Sequence, residues 1–236
     1  MAGTWWQAVS ARVGAVLMVL AGVACGTASV ERWWPECRLG QLDSARCGAL
    51  QDNLYDYIVP SDPWVPIGSA ATLAGVGGLV MGAGLVLLLP NHAAHRDQRV
   101  LALVVAVLAL VTLHDGAATF LSGRAGRPVD VPFLAGVRGP WELMVPFSLA
   151  ALLVRFRATG TRWKGWDGPA PLVVSLFLFV VSPFLELVFL PLSHDAPPWS
   201  GAVSAMSMVV AGWAAWWLPE RSAGQRHGEG GVARTA

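Results

Sequence analysis

A chain of 236 residues that is 55% hydrophobic and only 13% charged has about half the charge of an ordinary soluble domain. Its net charge of +1, with no basic cluster among stacking aromatics, excludes a nucleic-acid surface. The class this leaves is an all-α polytopic membrane protein, one bundle of about six transmembrane helices with an ordered extracytoplasmic loop.

Six apolar stretches approach the ~20 residues that cross ~30 Å as a helix. They fall at 11–30, 66–89, 100–122, 140–154, 170–192 and 199–218. The fourth is short and has Arg138 just before it; it starts nearer 133 if it is full length. Without it, five spans would put the termini on opposite sides. Ala24-Cys25-Gly26 follows a short apolar run, but the spans behind it make the first helix an uncleaved anchor. Residues 1–219 are thus expected to form the bundle, and the polar, glycine-rich 220–236 a disordered cytoplasmic tail. With both termini inside, ten arginines and lysines fall on the cytoplasmic side against six outside, which predicts a multi-pass plasma-membrane protein in that orientation.

The first external loop, 31–65, is the longest connection, and a structureless loop of that length would be unusual. Cys37 and Cys47 lie within it, on the oxidising side, which predicts a disulfide; Cys25 reads as a small buried residue. The second span carries small residues at every fourth position (Ala70, Ala74, Gly78, Gly82), and Gly22 and Gly26 repeat that spacing on the first. The pattern predicts tight contact between these two helices, within the bundle or in a homodimer, and such faces also suit a membrane-protein partner. Pro146 and Pro183 interrupt spans four and five, within a turn of Glu142 and Glu186. The twelve tryptophans divide between the two expected boundaries, as aromatic belts do, with Trp33, Trp34, Trp64, Trp141 and Trp199 at the outer one.

Chemistry concentrates in one layer. His114 and Asp115 interrupt the third span, roughly 22–24 Å from its cytoplasmic flank, and Glu142 and Glu186 reach roughly 20–24 Å on theirs. His194 and Asp195 close the same side. A carboxylate inside a bilayer costs roughly 2.5–3.5 kcal/mol on insertion scales, so it needs a partner or a purpose. Carboxylates beside a histidine have their pKa values spread apart, which gives one site an acid and a base. The candidate catalytic set is therefore Asp115, Glu142, Glu186 and His114, with Trp141, Trp199, His194 and Asp195 around the substrate. An equally weighted alternative is a structural network near the headgroups. No metal site is expected, since neither HExxH nor clustered cysteines occur, and no cofactor is implied. There is no GxSxG nucleophile, P-loop, dinucleotide fingerprint or CxxC pair.

In its size, span count and intramembrane acids Asp115, Glu142 and Glu186, the chain resembles the small integral-membrane terpene cyclases of fungi and actinomycetes. The resemblance implies an acid that protonates an alkene or epoxide of a hydrophobic isoprenoid or lipid, followed by cyclisation or isomerisation. No family motif aligns, and the outer depth of the acids departs from the family. Two other expectations stand beside it: a non-enzymatic subunit of an envelope or transport complex, and a small proton-coupled carrier.

Overall fold

The computed structural model describes residues 2–34, 36–38, 40–93, 99–132, 176, 198–199 and 201–216. These hold five α-helices and no strand: α1 (Ala2–Trp33), α2 (Ala45–Leu50), α3 (Ala70–Ala93), α4 (Arg99–Ala125) and α5 (Ala202–Trp216). Three are long and apolar enough to cross a membrane, over Trp5–Trp33, Ala70–Leu89 and Leu101–Ala125, while α5 is a shorter apolar helix. Span four, span five apart from the buried Leu176, and the tail lie outside the described residues.

Helix α1 begins earlier than hydropathy alone predicts. Its first turns carry Trp5 and Trp6, exposed and edge-to-face at 5.2 Å, and an apolar exposed stripe runs from there through Val13, Val16, Leu20, Val23 and Val30 to Trp34. From Trp5 to Trp34 is roughly 43 Å of helical rise, the thickness of a bilayer with its headgroup regions. Helix α3 starts at Ala70, four residues later than expected, because Pro66 and Gly68, at φ +47°, precede it. Helix α4 ends where Gly126 takes φ +64°, the left-handed residue that commonly follows a last helical turn.

Consecutive long helices are antiparallel, and the principal interfaces run α5–α1–α3–α4. Gly14 meets Gly84 across α1/α3, Gly78 meets Gly116 across α3/α4, and Gly22 and Gly212 meet Ala205 and Ala15 across α1/α5. The start of α1 and the end of α5 therefore lie at one end of the bundle.

The small-residue ladders are used, but not as the sequence reading paired them. Helices α1 and α3 do touch, through Gly14, Gly84 and Gly77. Gly78 and Gly82 instead face α4, where a Cβ would strike Gly116 and Leu113, and Gly22 faces Ala205 of α5. Every-fourth spacing marks a face that admits a close neighbour without saying which neighbour. These faces are occupied by helices of the same chain. The main core lies away from the 31–65 loop and is built on Met18, Met81, Leu85, Leu88, Leu101 and Val105.

Gly116 is a backbone-to-backbone contact suited to a test, since a Cβ there would lie 2.6 Å from the Leu79 amide nitrogen and 2.8 Å from the Gly78 carbonyl carbon. Gly116→Val should lower stability by about 1–3 kcal/mol in an SDS titration followed by circular dichroism. Gly48→Ala, with nothing within 4 Å of the added methyl, should stay within about 0.5 kcal/mol of wild type.

Candidate functional site

The polar groups collect where α1, α3 and α4 meet the long loop. Glu31, Arg32 and Trp33 form the last turn of α1, and each is fixed differently. The Glu31 carboxylate accepts from the Ser69 amide (2.9 Å) and the Ser69 hydroxyl (2.7 Å), placing a negative charge at the start of α3. Arg32 is buried and donates to Asp56 Oδ1 (2.7 Å) and to the Leu50 carbonyl (3.0 Å). Its guanidinium also lies 4.5 Å over the Trp33 ring and 5.7 Å from that of Tyr57. The Arg32 side chain is 2% exposed and that of Asp56 39%, so the pair has its cation inside and its anion at the surface. A buried guanidinium needs such partners, because desolvating it alone would cost several kcal/mol.

Around Arg32 the loop is an ordered cap. Ser44 caps α2 by accepting from the Cys47 amide, and Asp52 starts a 3-10 turn at Asn53–Tyr55 by accepting from Leu54. Cys37 and Cys47 form the expected disulfide and are buried with Trp33, against Leu50 and Trp199. Trp199 Nε1 donates to the Cys37 carbonyl (2.9 Å), tying the approach to α5 onto the cap. Gly201 follows at φ +87°, where a Cβ would collide with the Tyr57 hydroxyl. Trp5, Trp6, Trp34, Trp213 and Trp216 are exposed, whereas Trp33 is fully buried because the cap folds over the end of α1.

Helix α4 supplies the other anchors. Thr119 Oγ1 accepts from the Val59 amide of the cap at 2.9 Å. Past Gly126 the chain turns and runs back along α4: Ser122 Oγ accepts from the Val129 amide (2.9 Å), and His114 Nε2 lies 2.8 Å from the Val131 carbonyl. Val131 is thus level with a residue roughly 16 Å below the helix end. Extended backbone at such depth is tolerated only when the protein satisfies it, and Ser122 and His114 do so. The sequence reading did not anticipate this segment, although Pro128 and Pro132, which resist helix, were a signal for it.

His114 Nδ1 in turn lies 3.1 Å from Asp115 Oδ1, with the side chains 10% and 24% exposed. Both ring nitrogens therefore face oxygen atoms, and a neutral imidazole has only one N–H to offer. The Val131 contact requires Nε2–H. The other contact then needs a second proton, either on Nδ1 or on the carboxyl of Asp115. In both arrangements the pair is neutral as a whole, which lowers the cost of holding it inside an apolar helix.

The structure thus brings together two of the predicted catalytic residues, His114 and Asp115. Trp199 stands elsewhere, before α5, which packs on α1, whereas α4 packs on α3. Glu142, Glu186, Trp141, His194 and Asp195 lie outside the described residues. Among the described residues no three His, Cys, Asp or Glu side chains gather as metal ligands. Glu31, Arg32, Thr119 and Ser122 were not singled out in the sequence; the ERWW run at the end of the first apolar span was a signal for Glu31 and Arg32, and nothing in the sequence marked Thr119 or Ser122. Compared with known protein families, curated proteins and solved structures, the chain matches none.

Two outcomes follow from this geometry. Denatured without reductant, the protein should react with one equivalent of maleimide, at Cys25, and with three after reduction. His114→Phe, which leaves the Val131 carbonyl without its donor, should cost about 1–3 kcal/mol and speed amide exchange at residues 129–131, with His114→Gln restoring part of the loss.

Proposed function

We propose that the chain is a non-enzymatic integral-membrane subunit whose ordered cap is its working face. The observation that carries this reading is the use made of the polar layer. Arg32, Thr119, Ser122 and His114 each bind backbone of the cap or of the segment after α4, and Glu31 holds the start of α3. Groups that a reaction centre would need turned toward a substrate are turned toward the chain itself. The mounted cap leaves Leu42, Ile58 and Val65 exposed, apolar side chains that suit a protein neighbour. In this reading the bundle crosses the plasma membrane six times with both termini cytoplasmic, in keeping with the shared end of α1 and α5.

A second reading keeps the acid–base enzyme acting on a hydrophobic isoprenoid or lipid. It is favoured by one observation, the His114–Asp115 pair, which holds a transferable proton between two groups beside a partly exposed carboxyl. Glu142 and Glu186 would join it from spans four and five, with His194, Asp195, Trp141 and Trp199 near the substrate. The likeness to terpene cyclases belongs to this reading alone.

Native mass spectrometry of the protein taken from its own membranes in mild detergent separates the two. The subunit reading expects a second polypeptide at fixed stoichiometry, lost in Ile58→Ser/Val65→Ser while the melting temperature holds and kept in Asp115→Asn. A wild-type protein without any polypeptide partner, carrying an isoprenoid-sized molecule whose mass changes in Asp115→Asn, overturns it in favour of the enzyme.

A further inference from the structure

The interface between α1 and α5 opens toward the cap. At Gly22 the two helices touch, an added Cβ lying 2.6 Å from the Ala205 carbonyl, whereas at Gly26, one turn nearer the cap, the nearest atom is the Ala205 Cβ at 3.7 Å. The splay leaves an open groove of about 410 Å³, floored by Gly26, Ala202 and Ala205 and walled by Val30, Met206 and Trp199. Its lining is almost wholly apolar, and its volume lies in the range of small-molecule sites.

A cation stands at the cap end of this groove. Trp34 follows Val30 by one turn on the same exposed face of α1, and the Arg38 guanidinium lies 4.3 Å over its ring. The groove wall Trp199 is hydrogen-bonded to the carbonyl of Cys37, the residue directly before Arg38. Among the described residues Arg38 has no carboxylate partner: Glu36 lies 3.7 Å from Arg46, Asp56 pairs with Arg32, and Glu31 is bound to Ser69. An apolar trough thus ends under a guanidinium that stacks on an aromatic anchor and has no carboxylate partner among the described residues.

We propose that this groove is a specific site for one anionic phospholipid, with an acyl chain along Gly26 and Ala205 and the headgroup phosphate on Arg38. The planar guanidinium fork matches phosphate oxygens, and its stacking on Trp34 fixes it before the lipid arrives. Charge selects this occupant over a second copy of the chain, since an apolar helix laid in the groove would leave Arg38 unmatched. The site is independent of the His114–Asp115 pair, which lies on α4.

The test uses the full chain, delipidated in detergent and titrated with dioleoylphosphatidylglycerol or dioleoylphosphatidylcholine under native mass spectrometry. One phosphatidylglycerol should be retained about fivefold more tightly than phosphatidylcholine, the effect of one arginine at an anionic headgroup. Arg38→Gln should erase that preference. Gly26→Leu, which fills the trough without a backbone clash, should weaken both lipids, and Ala202→Leu should do the same from α5. Glycerol 3-phosphate, a headgroup without chains, should not compete. Equal retention of the two lipids by wild type, preference surviving Arg38→Gln, undiminished binding in both filled variants, or a dimer mass in place of the lipid would each overturn the proposal.

Discussion

Backbone that leaves a helix at the depth of a bilayer must find its hydrogen bonds inside the protein, because lipid offers none. The polar layer of this chain is arranged around that demand. Segment 126–131 descends beside α4, and the Ser122 hydroxyl and the His114 ring meet it where its amide and carbonyl would otherwise face apolar surroundings. The cap makes the same demand at the end of α1. There a single guanidinium reaches the carbonyls of Leu50 and Asp52, at 3.0 and 3.5 Å, together with the Asp56 carboxylate. Arginine suits the position because its fork spans several acceptors at once and its face stacks on Trp33 and Tyr57.

Within the apolar part of the bundle the organising constraint is different. Lipid tails are as apolar as leucine, so burying leucine gives little gain, and helix contact rests on close packing. The glycines supply it. Gly75, Gly78, Gly82, Gly116 and Gly123 bring α3 and α4 backbone to backbone, and Gly14, Gly84 and Gly77 do so for α1 and α3. The larger side chains Met18, Met81 and Leu85 fill what the close crossings leave at the end away from the cap. The two halves of the structure thus divide the work: hydrogen bonds define the loop end, and shape defines the rest.

This division explains what could be read in advance. Helical class, three of the spans and the Cys37–Cys47 bridge follow from hydropathy and from two cysteines ten residues apart on one ordered loop. Helix ends shifted by a few residues where capping decides them, as at Ser69 and Gly126. Partner choice was not legible. Gly22 and Gly78 share a spacing but face different helices, because spacing encodes room and not the neighbour that fills it. The partner of His114 was hidden for a related reason: it is the Val131 carbonyl, seventeen positions away, and a backbone carbonyl leaves no mark in a sequence.

The same partner bears on what Asp115 does. In an apolar helix a lone aspartate is an expensive residue, and the usual inference runs from expense to function. Here part of the expense is already met. A histidine that must donate Nε2–H to a carbonyl presents its other nitrogen to a neighbour, and an aspartate at hydrogen-bond distance completes the proton count without leaving net charge behind. The pair is then intelligible as a clamp on descending backbone, with Asp115 fixing the ring that fixes the chain. Catalysis would ask something further of the carboxyl: a proton delivered away from His114, toward a substrate. A clamp keeps its proton between its two members, so the measurable difference between the two roles lies in where that proton goes and not in whether the residue is essential to the fold.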